Sequence, residues 1–492
     1  MSKWSNYWFL ALGAIAISRL AAMAVLPFVD TTEARYGEIA RLMAETGDWI
    51  TPWFEPGVPF WGKPPLSFWA QAAAIKALGL SEFSLRLPSL LVTGVMALLV
   101  WHLAREYRGL NTARWAVVIF ASMALSYVSA GAVMTDAYFA LGTTLSLAGF
   151  YLAIQKAGSI WGWLFFLGLA IGLLAKGPLA VVLVAIPITL WILFDFCRLR
   201  ELAVLPWRAG TLLTLVLVLP WYLWAEIKTP GFLHYFLLGE HILRFIDPGW
   251  SGDLYGNAHL QPKGMIWVFW LWASFPWGIL SILLWVSAGS KSGNLFDREF
   301  WRDKKLVFVL ACALGPLLFF SLASNLLWTY VLPSLPFSAV LIAAQITRYS
   351  RSPYGRRLCN SLALVSPLLL LSVTLAYGLS DYRLKSEKSL VGHYNQRSDA
   401  VHSPLLYLGD LPFSARFYSR GTAQSVTYAQ LTAMLKSGSY DEYFIAIPRG
   451  RLSDERSAML ADTGIREFKN RRYELISIDR STPDSESLSS AE

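Results

Sequence analysis

The chain has 492 residues, of which 55% are hydrophobic and only 15% are charged, against about 25% charged in an average soluble domain. This composition excludes an ordinary water-soluble enzyme and favours a protein that spans a membrane many times. The net charge of +9 does not indicate a nucleic-acid-binding protein, because the basic residues concentrate in alternate loops between apolar segments.

Apolar segments long enough to cross a bilayer recur from the N-terminus to about residue 379. A transmembrane helix needs roughly 20 mainly apolar residues, and we count about eleven such windows. They are 7–27, 84–101, 115–133, 137–154, 161–175, 178–194, 211–226, 266–287, 306–323, 328–346 and 360–379. The first run ends near Ala22-Met23-Ala24, a weak match to a signal-peptidase site, but many spans follow it, so we expect an uncleaved anchor.

The basic residues of this part lie in alternate connections between the windows. The connection after the second window carries Arg105, Arg108 and Arg114, whereas the short connections near residues 134 and 325 carry no basic residue. Because positive charge accumulates in cytoplasmic loops, this asymmetry predicts a cytoplasmic N-terminus and a C-terminal part on the outer side.

The first outer loop, from about Asp30 to Phe83, is more than a connector. Apolar residues at helical spacing predict an amphipathic helix at about 33–46, which Gly47 ends. A second helix is predicted at about 64–78, because Pro64-Pro65 suits a first helical turn. Both helices are expected to lie along the membrane surface.

From about residue 380 the composition becomes mixed and water-soluble. Short strands are predicted at 405–408, 425–428, 443–447 and 473–478, with helices at about 413–420, 429–436 and 453–462. We therefore predict a membrane domain over 1–379 and a small α/β domain over 380–480 with some parallel strands. Residues 481–492 are rich in serine and acidic side chains, so we expect disorder there.

Two carboxyl groups open the first outer loop. Asp30 and Glu33 have the spacing of a capping box, in which two side chains satisfy backbone amides at a helix start. A carboxylate beside Arg35 could equally serve as a general base next to a cation that holds phosphate. Both interpretations remain open, because a carboxylate at a helix start can do both.

Further charged residues lie on the same predicted outer side. Lys63 precedes a proline-started helix and is either an anion ligand or a lysine that reaches the lipid surface. Asp136 stands at an outer turn, where an acid at membrane depth indicates a site or a helix cap. Lys176 occupies the next outer turn, as an anion ligand or a solvated turn lysine.

The loop after the seventh window adds Glu240, His241 and Arg244 within one helical stretch, which could bind a metal, a phosphate or a sugar. The spacing is not that of a paired-histidine zinc site. Tyr330 lies in the outer turn between the ninth and tenth windows, where a tyrosine is usually part of the interfacial aromatic belt.

These motifs together resemble those of the bacterial aminoarabinose transferase and protein O-mannosyltransferase superfamily. The matching stretches run from Asp30 to Pro52 and then comprise Lys63-Pro64, Lys176-Gly177-Pro178, Glu240-His241, Arg244-Phe245 and Thr329-Tyr330 with Leu332-Pro333. The resemblance implies the GT-C fold, an all-α polytopic membrane bundle of about 11–13 transmembrane helices with two juxtamembrane helices and a small periplasmic α/β domain.

The resemblance also implies an activity. Members of the superfamily transfer a sugar, with inversion, from a polyprenyl (undecaprenyl) phosphate donor to a periplasmic acceptor such as lipid A or another envelope glycan. We therefore expect an inner-membrane glycosyltransferase that acts as a monomer, with the bilayer and the lipid-linked donor as partners and no nucleic acid. Protein O-mannosyl transfer and transport of a lipid-linked substrate are the alternatives.

Site roles follow from the same resemblance. Arg35, Lys63, Lys176 and Arg244 are expected to hold the carrier phosphate with support from Tyr330, and Asp136 is expected to position donor or acceptor. Tyr36, Glu240 and His241 are further candidates.

Two positions depart from the superfamily pattern. Aminoarabinose transferases have an aspartate directly before the glutamate that matches Glu33, and this chain has Thr32 there, so Asp30 and Glu33 are both candidates for the base. Gly62 stands where the family has a glutamate that shares zinc with the histidine matching His241. No metal is therefore expected to be required. Zinc remains an alternative, with His241 as the most that the sequence offers as a ligand.

Overall fold

The structure, a computed structural model, describes residues 4–155, 160–247, 250–256, 259–288, 303–378, 384–397, 403–451 and 464–479. The chain folds into two compact units. The bundle unit comprises Met1–Ala24 and Leu42–Ser372, and the C-terminal unit comprises Val25–Arg41 and Val373–Glu492. The C-terminal unit thus includes a piece of the first outer loop, which the sequence had not indicated.

Helices make up most of the described chain up to residue 378, because each apolar window satisfies its own backbone hydrogen bonds. They are α1 (Trp4–Val25), α2 (Thr32–Thr46), α3 (Leu66–Leu78), α4 (Glu82–Arg108), α5 (Leu110–Ser122), α6 (Ala124–Ser129), α7 (Asp136–Gln155), α8 (Trp161–Lys176), α9 (Leu179–Leu193), α10 (Trp207–Lys228), α11 (Met265–Ala273), α12 (Trp277–Ala288), α13 (Lys304–Phe320), α14 (Leu335–Tyr349) and α15 (Pro353–Gly378).

Six spans among the described residues are long and apolar enough to cross a membrane alone. Helices α11 and α12 form a further broken span that bends by 105°. The break falls at Pro276, because proline lacks an amide donor and disfavours helical geometry in the residue before it. Helices α8 and α9 are apolar but shorter. Each predicted window overlaps at least one of these helices, so the expected polytopic helical bundle is confirmed.

The first outer loop contains the two predicted helices. Helix α2 buries Tyr36, Ile39 and Met43, as the helical spacing predicts. Helix α3 begins at Leu66, directly after the two prolines. Between the helices lies a short antiparallel hairpin of β1 (Trp53–Glu55) and β2 (Val58–Pro59), which the sequence analysis missed because its strands are too short to show alternation.

A five-stranded sheet forms the centre of the C-terminal unit, in the order β4-β3-β5-β7-β6. Parallel pairs join β3 to β4 and β5, and antiparallel pairs join β7 to β5 and β6. The elements are α16 (Lys388–Arg397), β3 (Leu405–Leu408), α17 (Phe413–Tyr418), β4 (Gln424–Val426), α18 (Tyr428–Ser437), β5 (Glu442–Pro448), β6 (Ile465–Lys469) and β7 (Tyr473–Asp479).

The predicted α/β character of this region is confirmed, with two elements missed. Strand β6 and helix α16 were not predicted, because neither has a regular apolar period. The predicted strand 425–428 ends early, since Thr427 and Gln430 form a capping box that starts α18. The predicted helix at 453–462 and the predicted disordered tail at 481–492 lie outside the described residues.

Helices α7 and α8 pack unusually closely. A Cβ atom added to Gly142 would lie 2.5 Å from the backbone nitrogen of Gly172, and one added to Gly168 would lie 2.5 Å from that of Ser146. Small residues allow such backbone approach between membrane helices, where apolar burial alone gives little drive for association. These glycines therefore fix the spacing of the two helices that carry Asp136 and Lys176.

Substituting Gly142 with alanine should force α7 and α8 apart. We expect Gly142→Ala to destabilise the folded protein by about 1–3 kcal/mol, the usual cost of overpacking. Gly94→Ala is the matched control, because this helical glycine has open space around its Cβ position and alanine favours a helix. Thermal unfolding in detergent measures both, and equal midpoints for the two variants would contradict this packing account.

Candidate functional site

Lys63, Glu240 and Arg244 form an ion-paired cluster within the bundle unit. The Lys63 ammonium lies 3.2 Å from Glu240 Oε2, and the Arg244 guanidinium lies 3.0 Å from the same oxygen. Arg244 also reaches Asp253 Oδ2 at 3.2 Å. Only 7% of the Glu240 side chain is exposed, so the carboxylate is held between two cations in a largely dry place.

A π-helical segment, His234–Leu243, continues as helix to Ile246 and carries Glu240 and Arg244 of this cluster. Glu240 and Arg244 are four residues apart and form the ion pair that this spacing allows. Burial by itself would raise the pKa of Glu240, but the charges of Lys63 and Arg244 outweigh it and lower the pKa below its usual range. Glu240 is therefore ionised at neutral pH.

Lys176 forms the second part of the site at the end of α8. Its ammonium lies 2.7 Å from Asp136 Oδ1, at the start of α7, and 4.9 Å from the centre of the Tyr330 ring. Side-chain exposure is 10% for Lys176 and 14% for Asp136. An aromatic face stabilises a cation at this distance, so Tyr330 helps to hold the ammonium as well as lining the site.

One cavity of about 130 Å³ joins these groups. Its polar wall includes Lys63, Lys176, Glu240, Arg244 and Tyr330. Its apolar wall comprises Leu179, Phe236, Phe245, Phe319, Phe320 and Ala323. Sites that enclose whole small molecules are roughly 300–1,000 Å³, so this cavity suits one charged group of a larger ligand that has an apolar part.

His241 does not fit a metal-ligand role. Its Nδ1 lies 2.7 Å from the Phe236 carbonyl oxygen, and its Nε2 lies 2.9 Å from that of Lys176. Burial lowers the pKa of His241, although both carbonyl contacts oppose the shift. A metal needs a ring-nitrogen lone pair without such a neighbour. Among the described residues, no group of three or more His, Cys, Asp or Glu side chains is arranged to hold a metal ion.

The surroundings of Gly62 also argue against a metal site beside His241. A Cβ atom there would lie 3.0 Å from the Phe60 ring and 3.3 Å from the Tyr255 ring. The position expected from the superfamily to carry an acidic zinc ligand is therefore packed between aromatic side chains.

The other predicted residues, Asp30, Glu33, Arg35 and Tyr36, belong to the C-terminal unit. The Asp30 carboxylate accepts hydrogen bonds from the Ser414 amide at 2.9 Å and from Arg472 at 2.6 Å. Helix α2 starts at Thr32, and the Arg35 guanidinium lies 5.4 Å from the centre of the Tyr36 ring. Glu33 stands in the first turn of α2 and is half-buried.

Sequence reasoning missed several residues of the site. Asp253 pairs with Arg244, Tyr235 donates a hydrogen bond to Glu240 at 3.3 Å, and Phe319 stacks on Phe245 at 5.4 Å between ring centres. No spacing rule links these positions. Their only sequence signal is that each lies in or next to an outer connection.

Gly177 shapes the turn between Lys176 and α9. Its φ is +74°, and an added Cβ would lie 2.7 Å from the Phe236 ring and 3.1 Å from His241 Cε1. Gly177→Ala is therefore expected to combine backbone strain of about 1–3 kcal/mol with overpacking of similar size.

Gly79→Ala isolates the backbone contribution, because Gly79 also ends a helix, has a φ of +83° and has open space at its Cβ position. Thermal unfolding should show a clearly larger fall for Gly177→Ala. Equal falls would mean that the contact with Phe236 and His241 does not constrain the turn.

Comparison with known proteins gives matches to membrane glycosyltransferases. The profile of the dolichyl-phosphate-mannose-protein mannosyltransferase family matches residues 24–236. The undecaprenyl phosphate-alpha-4-amino-4-deoxy-L-arabinose arabinosyl transferase of Aeromonas hydrophila is 33% identical over 331 residues, which are 65% of this chain and 56% of that protein. Its counterpart from Yersinia pestis is 31% identical over 328 residues, 64% of this chain and 54% of that protein. The match thus spans little more than half the length of these curated relatives.

Solved structures show the same fold. ArnT from Cupriavidus metallidurans, in a crystal structure bound to undecaprenyl phosphate, matches with a TM-score of 0.76 at 16% identity, over 99% of this chain and 100% of that one. The archaeal oligosaccharyltransferase AglB from Archaeoglobus fulgidus matches with a TM-score of 0.50 at 12% identity, over 90% of this chain and 70% of that one. The chain thus has the fold of ArnT, and over the matched residues its sequence is similar to the aminoarabinose arabinosyl transferases and to the dolichyl-phosphate-mannose-protein mannosyltransferase family.

Proposed function

We propose that this multi-pass membrane protein is an inner-membrane glycosyltransferase. It moves a sugar from a polyprenyl phosphate donor, such as the undecaprenyl phosphate in the relatives' names, to a periplasmic acceptor such as lipid A or another envelope glycan. The observation that carries the proposal is the cavity in which Lys63, Lys176 and Arg244 face a common space beside an apolar wall. This arrangement suits a phosphate attached to a prenyl chain.

The chemistry needs positive charge where the carrier leaves. An acceptor oxygen attacks the anomeric carbon, a new carbon–oxygen bond forms, and the bond from that carbon to the carrier phosphate breaks with inversion. The departing phosphate keeps the electron pair, and preorganised cations stabilise the charge that develops on it. Lys63, Lys176 and Arg244 supply these cations, and Asp136 acts through Lys176 by fixing its position.

Glu240 keeps the cations in place before the donor binds. Without a carboxylate between them, Lys63 and Arg244 would repel each other in a poorly hydrated space. An entering phosphate takes over part of the hydrogen bonding that Glu240 receives from both cations. The ligand-free protein is therefore preorganised for an anion and loses little ion pairing when the anion arrives.

The acceptor proton requires a base, and the two candidates differ in their surroundings. Asp30 is engaged by Ser414 and Arg472, so its lone pairs are already used by the C-terminal unit. We assign the base role to Glu33. It stands in the first turn of α2, close in sequence to Arg35, within the stretch 30–52 that resembles the superfamily.

A transporter of lipid-linked substrates is less well supported. Such a transporter would need ionisable residues within its membrane helices, and Arg19 is a residue of this kind in α1. Arg19 donates a hydrogen bond to the Val128 carbonyl at 2.8 Å and lies 5.8 Å from the centre of the Tyr127 ring. These contacts tie α1 to α6 and account for a buried arginine by structure alone.

Removing a cavity cation should slow transfer strongly. Lys63→Ala and Arg244→Ala are each expected to lower the rate of sugar transfer from a polyprenyl phosphate by about 100-fold or more. Loss of one hydrogen-bond donor from an oxyanion hole has an effect of this size. Lys228→Ala is the matched control, because Lys228 pairs with Asp48 at 2.5 Å, is 43% exposed and does not line the cavity. Normal turnover in both cavity variants at normal expression would overturn the assignment.

The acceptor can be identified in cells. Mass spectrometry of envelope lipids, glycans and proteins, with and without the gene, should show one class of molecule that loses the mass of a single sugar. A loss on lipid A or another glycan supports the proposal, whereas a loss of hexose on protein selects O-mannosyl transfer. Unchanged envelope masses together with carrier movement across vesicles would select transport.

A further inference from the structure

A buried polar network within the C-terminal unit holds the segment that leads into helix α2. Arg472 Nη2 lies 2.6 Å from Asp30 Oδ2 and 2.7 Å from Glu387 Oε1. Ser414 adds a backbone amide at 2.9 Å and a hydroxyl at 2.5 Å to the Asp30 carboxylate. One guanidinium thus joins two carboxylates that lie far apart in the sequence, so only the folded unit brings them together.

Further contacts hold the same segment against the C-terminal domain. The Phe28 amide donates a hydrogen bond to the Tyr418 hydroxyl at 2.7 Å, and the Phe28 ring lies 4.8 Å from that of Phe417. The Asp30 amide donates to the Lys385 carbonyl at 2.8 Å. A Cβ atom on Gly421 would lie 3.0 Å from the Arg41 guanidinium, so the turn after α17 packs on the side of α2. The contacts therefore flank the stretch that carries Glu33 and Arg35.

The balance of charge in this network is sensitive to pH. Glu387 is fully buried, and burial raises its pKa to about 7, although Arg472 and Asn470 lower it. The other ionisable groups that face Glu387 are Asp30, Tyr407 and Tyr473. With Glu387 ionised, two carboxylates share one guanidinium, and the buried network carries an uncompensated negative charge.

We propose that Arg472 is a positioning residue for the transfer reaction, which clamps Asp30 against Glu387 and so fixes the start of helix α2. This inference rests on the proposed function, because its consequence is the placement of Glu33 and Arg35 for catalysis. It also explains why Asp30, at the start of the loop, has its carboxylate committed to the C-terminal unit. Arg472 does not touch the substrate and acts through Asp30.

Kinetics separate positioning from donor binding. Arg472→Ala is expected to lower kcat at least tenfold while KM for the polyprenyl-phosphate sugar changes less than about twofold, because the bundle unit's cavity is intact. Arg472→Lys should recover part of kcat, since it keeps the charge. The control is Arg397→Ala, because Arg397 pairs with Glu467 in the same unit but is 56% exposed. Equal kcat for the Arg472→Ala and Arg397→Ala variants would overturn the inference.

Hydrogen exchange gives a readout that does not depend on activity. The amides of residues 33–36 should exchange at least tenfold faster in Arg472→Ala than in the wild-type protein or the Arg397→Ala variant. Unchanged exchange there would also overturn the inference. A wild-type protein that transfers no sugar from any polyprenyl-phosphate donor would instead overturn the proposed function, so the two failures are distinguishable.

The clamp should weaken as pH rises. A carboxyl group whose pKa is raised on folding stabilises the protein most below its unfolded pKa, and this contribution is lost as pH rises through about 7. The exchange rate of residues 33–36 in the wild-type protein, relative to Glu387→Gln, should therefore increase between pH 6 and pH 8. A ratio that stays constant or falls over this range would contradict the role of Glu387 in the clamp.

Discussion

The buried carboxylate of Glu240, with Lys63 on one side and Arg244 on the other, is the interaction on which the candidate site depends. Positive groups that face a poorly hydrated cavity repel one another and would turn away unless a negative group held them. In the same way, Asp253 holds Arg244 in place by an ion pair, and Asp136 holds Lys176. The cations are therefore fixed before any ligand binds, which is the condition for stabilising a charge that appears only during reaction.

The fold supplies these groups from separate elements. Lys63 follows the β1–β2 hairpin and Lys176 ends α8. Glu240 lies on the π-helical segment after α10, and Arg244 lies on the helical turn that continues it. The close packing of α7 on α8 sets the distance between Asp136 and Lys176. Gly177 lets the turn after α8 pass close to Phe236 and His241, because it has no side chain. Separate elements thus carry the charges, while the aromatic side chains around the cavity provide an apolar wall.

Periodic features of the sequence predicted most of the fold. The apolar windows, the two helices of the first outer loop and four of the sheet's strands follow from spacing, because local patterns determine which residues form each element. The sequence also placed Lys63, Lys176, Glu240, Arg244 and Tyr330 on one side of the membrane. It could not show that Asp253 pairs with Arg244, that His241 lies between two carbonyl oxygens, or that Asp30 binds Arg472, since these contacts join distant positions and follow no period.

The central claim is that the cavity lined by Lys63, Lys176 and Arg244 receives the carrier's phosphate. Native mass spectrometry of the purified protein with undecaprenyl phosphate, and in parallel with the uncharged polyprenol of the same chain length, tests this most directly. The account predicts tight binding of the phosphate form alone, and loss of that binding in a Lys63→Ala, Arg244→Ala double variant. Equal binding of the polyprenol and its phosphate, unaffected by the double substitution, would contradict it.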